Sequence, residues 1–99
     1  MQLSTRQKKH LRSLGHALRP VVTLGAAGAS PAVIAELDIA LADHELVKVK
    51  VRSGERSARN ESVSVLCERT GATLIQQIGH MALLYRPDPD TPTIQLPPA

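Results

Sequence analysis

Val21-Val22-Thr23-Leu24-Gly25-Ala26-Ala27-Gly28-Ala29-Ser30-Pro31 is the stretch on which the fold turns, because a short strand gives way there to a Gly-x-x-Gly loop and then to a helix start. Glycine permits a positive φ and has no Cβ to obstruct a close approach. Ser30 has the hydroxyl of an N-cap and Pro31 suits the first helical position. Free N–H groups at such a helix start, together with the positive end of its dipole, suit an anion such as phosphate. The same pattern also occurs as a plain strand-to-helix turn, so the loop needs support from the rest of the chain.

Working outward, the elements alternate. Ser4 and Gln7 have capping-box spacing and Leu11, Leu14 and Leu18 follow at three- and four-residue intervals, which predicts a first helix over about residues 5–16 with a narrow apolar stripe. Lys8, Lys9, Arg12 and His16 fall mostly off that stripe, and Arg19-Pro20 ends the helix before the strand 21–24. A second helix, residues 31–44, places Val33, Ile34, Leu37, Ala40 and Leu41 on one face and acids on the other. Val47, Val49 and Val51 alternate with Lys48, Lys50 and Arg52, the period-two pattern of a strand with one buried and one polar face.

Residues 53–60 read as a polar connector whose later part is compatible with helix. A third helix runs from there to about Thr70, with Val63, Leu66 and Cys67 inward and Gly71 at the C′ position. Strands near 74–78 and 81–85 turn tightly around Gly79-His80, with neither face distinguished by pattern. The order α-β-α-β-α-β-β, with right-handed crossovers through helices two and three, predicts a two-layer α/β fold on a mixed four-stranded sheet. Residues 1–86 form the expected domain. Residues 87–99, with five of the seven prolines, form a tail in which Ile94 and Leu96 are candidates to dock on a neighbour.

Charge is segregated. The first acid is Glu36, so Arg6, Lys8, Lys9, Arg12 and Arg19 precede any counter-charge, and Lys48, Lys50, Arg52, Arg56 and Arg59 form a second block broken only by Glu55. Residues 31–45 carry four acids and no Lys or Arg. A net charge of +3 therefore understates the polarity, and with a pI near 9.5 the two blocks form the footprint of a polyanion-binding surface.

Composition excludes several classes. Ninety-nine residues make one domain with one core, aliphatic because Tyr85 is the sole aromatic residue, so a nucleic-acid platform that stacks bases on aromatics cannot be built. No apolar run approaches a membrane span, and a basic N-terminus with a single cysteine points to a reducing, cytoplasmic setting. Catalytic patterns are absent. Cys67 reads as a core residue without an activating partner, His10, His16, His44 and His80 lack metal-ligand spacing, and Glu36 and Asp38 point in different directions on their helix. No Lys-Ser/Thr follows the glycines and there is no third glycine, so neither a P-loop nor a dinucleotide site is present. A binding protein without cofactor, metal or small-molecule substrate is expected.

The stretches Leu3-Ser4-Thr5-Arg6-Gln7-Lys8, Pro20-Val21-Val22 through Gly25-x-x-Gly28, His44 to Lys50, Thr70-Gly71-Ala72, Ile78-Gly79 and Leu84-Tyr85-Arg86-Pro87 occur together and in order over about residues 2–96. Together they resemble the CRM domain, and more narrowly its stand-alone bacterial YhbY-type members. The resemblance implies a fold similar to the C-terminal domain of translation initiation factor three, RNA binding, and association with precursors of the large ribosomal subunit. The family's loop falls on Gly25, Ala26, Ala27 and Gly28, followed here by Ala29-Ser30 where many relatives have Leu-Thr. Because Ala26 and Ala27 carry no charge, binding to ribosomal RNA would draw on Lys8, Lys9 and Arg12, and on Lys48 and Lys50 where their strand face is open. A monomer is expected. The competing expectation is a protein-interaction adaptor whose basic face docks an acidic partner.

Overall fold

The computed structural model describes residues 2–52 and 54–99; Ser53, at the head of the expected polar connector, lies outside them. Seven elements follow one another: α1 (Thr5–Gly15), β1 (Pro20–Leu24), α2 (Pro31–His44), β2 (Leu46–Val51), α3 (Arg56–Thr70), β3 (Thr73–Ile78) and β4 (Met81–Tyr85). The later part of the expected connector is helical, since α3 begins at Arg56.

Local chemistry fixes the helix ends. Ser4 and Gln7 form the full capping box at the start of α1. At the start of α2 the Ser30 hydroxyl accepts from the Val33 N–H at 3.3 Å, with Pro31 at the first helical position. Gly71 ends α3 in the left-handed region at φ +75°, where a side chain would be strained. A Cβ there would meet no neighbour, so Gly71→Ala isolates the conformational cost and should lower stability by about 1–2 kcal/mol in urea denaturation.

The sheet order is β1-β2-β4-β3, with β1 parallel to β2 and β4 antiparallel to both β2 and β3. One face carries Val22, Leu24, Val47, Val49, Val51, Ala82 and Leu84 and packs on Leu37, Leu41, Val63 and Leu66 of α2 and α3, which is the expected two-layer sandwich. The opposite face is partly covered as well. There Leu46, Ile75, Leu83 and Tyr85 pack on Leu11 of α1, with Leu3, Ile94 and Leu96 closing over them. Strand β4 is thus apolar on both faces, with Ala82 and Leu84 on one and Leu83 and Tyr85 on the other. A central strand covered twice shows no alternation, which is why its faces are not distinguished by pattern.

Helix α1 departs from the expected stripe. Leu11 and Gly15 are buried, whereas Leu14 and Leu18 are 40% and 36% exposed. Gly15 sits so close to the sheet that a Cβ would come within 2.5 Å of a Leu83 methyl, so the contact uses a glycine that carries no hydrophobic signal of its own.

The tail is pinned by a buried carboxylate. Glu45 caps α2 at φ +63° and is 2% exposed. Its Oε2 accepts from the Asp88 N–H at 2.6 Å, and its Oε1 accepts from the Thr93 hydroxyl at 2.6 Å and the Ile94 N–H at 2.8 Å. The Gln7 amide donates to the Pro97 carbonyl at 3.1 Å, tying the tail to α1. Arg86 joins α2 and α3 by donating to Asp38 Oδ1 at 2.5 Å and to the Thr70 carbonyl at 2.8 Å.

Candidate nucleic-acid interface

Two parallel strands followed by crossover helices put the β1–α2 and β2–α3 connections at the same end of the sheet. At this end the Gly25 carbonyl accepts from the Gly28 N–H at 3.0 Å, closing a turn over Ala26 and Ala27, and the Gly28 carbonyl accepts from Ser30 at 2.9 Å. Gly28 has φ +66°, as the loop requires. These bonds and the Ser30 cap use the N–H groups of residues 28, 30 and 33, and Pro31 has none. The donors without a hydrogen bond among the described residues at this end are therefore those of Ala26, Ala27 and Ala29 in the loop and of Ala32 in the first turn of α2. The anion-binding capacity expected of the helix start resides mainly in the loop.

Gly25 and Gly28 differ in kind. A Cβ on Gly28 would lie 3.2 Å from the Ser62 hydroxyl, whereas one on Gly25 would meet none of the described residues within 4 Å and its backbone needs no positive φ. The fold therefore requires glycine at 28, whereas at 25 none of the described residues crowds a side chain. Between the loop and α3 runs a groove lined by Gly28, Gly54, Ala58, Glu61 and Ser62. Glu61 disfavours a phosphate on that side of the loop, leaving the strand side as the electrostatically open approach.

Lys48 and Lys50 point to the α1 face of the sheet, since they pair with Leu83 and Met81 and alternate with the buried valines of β2. Lys50 pairs with Thr23, two residues before the loop. Lys48 shares a groove with His16, Gln76, Ile78 and Met81. Lys8 and Arg12 precede His16 at four-residue spacing and so lie along one flank of α1, with Lys9 exposed beside them. Lys8 is about 12 Å back along the helix from His16. The structure thus brings Lys50 beside the loop end of the sheet, reaches Lys48 one pair further in, and leaves Lys8, Lys9 and Arg12 on a helix that packs on the face opposite α2.

Sequence reasoning assigned Arg52 only to a basic block, yet its N–H donates to the Leu24 carbonyl at 3.0 Å, directly before the loop. The available signal was topological: consecutive parallel crossovers juxtapose the loops that follow β1 and β2. Catalytic alternatives gain nothing. Burial pushes the Cys67 thiol up, away from the reactive thiolate. Among the described residues no group of three or more His, Cys, Asp and Glu side chains is placed to hold a metal ion, and no helix is long and apolar enough to cross a membrane.

Residues 3–86 match the model of the CRS1/YhbY (CRM) domain. The chain belongs to that family. An "RNA-binding protein" of Haemophilus influenzae is 44% identical over 95 residues, which is 96% of this chain and 95% of the relative. The "Probable RNA-binding protein PA4753" of Pseudomonas aeruginosa is 45% identical over 89 residues, covering 90% of this chain and 86% of its own length. The solution structure of the hypothetical protein SAV1595 from Staphylococcus aureus superposes with a TM-score of 0.83 at 34% identity, covering 97% of this chain and all of that one. The CRM fold of this chain is thereby shared by a solved structure along almost its whole length, and the Gly-x-x-Gly loop, Lys48, Lys50 and the basic flank of α1 all lie within the matched domain.

Proposed function

We propose that this CRM-domain protein binds structured ribosomal RNA and assists assembly of the large ribosomal subunit in the cytoplasm, acting without catalysis. The observation that carries the RNA reading is the loop: N–H groups of Ala26, Ala27 and Ala29 with no hydrogen bond among the described residues, and Lys50 and Arg52 flanking the strand ends. In this reading the loop of Gly25, Ala26, Ala27 and Gly28 takes a backbone phosphate. Lys48 and Lys50 contact neighbouring phosphates across the open sheet, and Lys8, Lys9 and Arg12 extend the contact along α1. RNA-binding relatives of nearly equal length support the partner class. The ribosomal assignment follows from the resemblance to YhbY-type members, and phosphate contacts suit a factor that must leave, because their affinity falls steeply with salt.

Replacing Lys8, Lys9 and Arg12 with Gln tests the extended surface. Every phosphate that the variant no longer engages should flatten the log–log salt dependence by ~0.7–0.9, without changing preference among RNA sequences. An unchanged slope would take α1 off the RNA. In lysate the protein should sediment with large-subunit precursors at low salt and be stripped from them at high salt. Failure of the purified chain to bind RNA, combined with ribonuclease-insensitive capture by an acidic protein, would replace this reading with the adaptor.

A further inference from the structure

On the flank of α3 turned away from the Gly-x-x-Gly loop, a cleft of about 720 Å³ opens between α3 and β3. Arg56, Arg59, Asn60 and Ser64 form one wall, and Leu74 and Gln77 the other. Its shape depends on an irregularity in β3. Leu74 pairs with Leu84 and Gln76 with Leu83, so Ile75 is an extra residue that breaks the register. In a regular strand residues three apart face opposite ways; the bulge lets Leu74 and Gln77 both face α3. Re-aiming a polar side chain into a cleft is a recurrent use of such bulges.

The polar groups are already oriented. Gln77 Nε2 donates to Asn60 Oδ1 at 2.9 Å, which fixes both amides and leaves an Asn60 N–H donor and the Gln77 carbonyl acceptor for other partners. Arg59 is anchored by its Nη1, which donates to the Gly54 carbonyl at 2.8 Å, while its buried Nε has no hydrogen bond among the described residues. The remaining guanidinium hydrogens on Nη1 and Nη2 are the ones left for an acceptor that a ligand supplies. Leu74, 40% exposed, and Val63 give the cleft an aliphatic floor, and among the described residues no Asp or Glu lines it.

A flat apolar body with a donor–acceptor edge and an attached anion matches these three features, and a nucleotide has all of them. We propose that this cleft holds one unpaired nucleotide of an RNA strand, its base over Leu74 and Val63 with an edge on the Asn60 and Gln77 amides, and its phosphate on Arg56 and Arg59. This rests on the RNA-binding reading above and adds to it a site for single-stranded RNA, where the loop takes backbone alone. A free nucleoside monophosphate has the same chemistry. The loop on the other flank of α3 makes a strand passing from one site to the other the more economical source.

The test uses the full chain and one RNA hairpin in two forms, blunt and with a single-stranded flank of about six nucleotides. The flanked form should bind about three- to tenfold more tightly, the worth of one or two net hydrogen bonds. Gln77→Leu should abolish that advantage and leave the blunt hairpin unaffected. Ser64→Glu, at an exposed helix position outside the Asn60–Gln77 bond, should do the same by charge alone, with an unchanged melting temperature. Equal binding of the two hairpins by wild type, or an advantage that survives both substitutions, would overturn the cleft while leaving the loop reading intact. If neither hairpin binds, both readings fall. Titration with AMP and UMP separates the sources: submillimolar binding of either would reassign the cleft to a free nucleotide, and millimolar or weaker binding fits a site that works within a strand.

Discussion

Gly25→Asp should leave the protein folded and lower its affinity for RNA by about ten- to a hundredfold, or roughly 1.4–2.7 kcal/mol. The expectation follows from the difference between the two loop glycines. At position 25 a Cβ has none of the described residues within 4 Å and the backbone carries no positive φ, so neither the described packing nor the backbone conformation opposes the substitution. In the bound state the new carboxylate would stand where a phosphate approaches the Ala26 and Ala27 amides. Gly28→Asp should weaken binding as well, but its φ of +66° and the Ser62 hydroxyl 3.2 Å away mix loss of binding with change of fold. Circular dichroism and thermal melting of Gly25→Asp, followed by RNA titration, give the answer. A folded variant that binds as wild type would remove the loop from the interface.

Glu45→Ala should cost about 2–3 kcal/mol of stability and free the tail, because it removes every acceptor that gathers Asp88, Thr93 and Ile94. Burial alone would push the Glu45 carboxyl up, but the hydrogen bonds from Asp88, Thr93 and Ile94 together outweigh it and hold it below its ordinary value of 4.5. The sign of the pH dependence follows. A carboxyl whose folded pKa is depressed contributes stability that is complete above the unfolded value and is lost as pH falls through the folded one. Wild type should therefore lose stability as pH drops below about 4.5, and Glu45→Ala should lose less over the same interval. Methyl signals of Ile94 and Leu96 report the tail directly, and tail signals unchanged in Glu45→Ala would show that apolar docking suffices without the carboxylate.

How much of this was legible depends on whether a feature is local. The capping box at Ser4 and Gln7, the Ser30-Pro31 start of α2, the alternation of β2 and the glycine ending α3 each involve a few adjacent residues, and each is found where the pattern put it. Features that depend on distant partners were not readable. Gly15 is buried because Leu83 stands opposite, while Leu14 and Leu18, which fit the stripe by type, face outward. Glu45 looks like one more acid at the end of an acidic helix until the tail returns to it. In the candidate interface the loop was visible as a motif, but the placement of Arg52 beside it and of α1 on the opposite face follows from strand order, which pattern alone does not supply.

The carboxylate that pins the tail also sets a timetable for synthesis. Its partners Asp88, Thr93 and Ile94 lie 43, 48 and 49 residues downstream of Glu45, so at ordinary elongation rates they are added about 2–10 s after it. Helix α2 and strand β2 can form before the tail docks, and until then the Glu45 carboxylate is hydrated instead of holding Asp88, Thr93 and Ile94. Until residues 88–94 arrive, the apolar surface of Leu46 beside it lacks its final cover. A released chain truncated shortly after Tyr85 would have all four strands but an open seam on that face, making this seam the place where a chaperone or a second copy would first gain a hold.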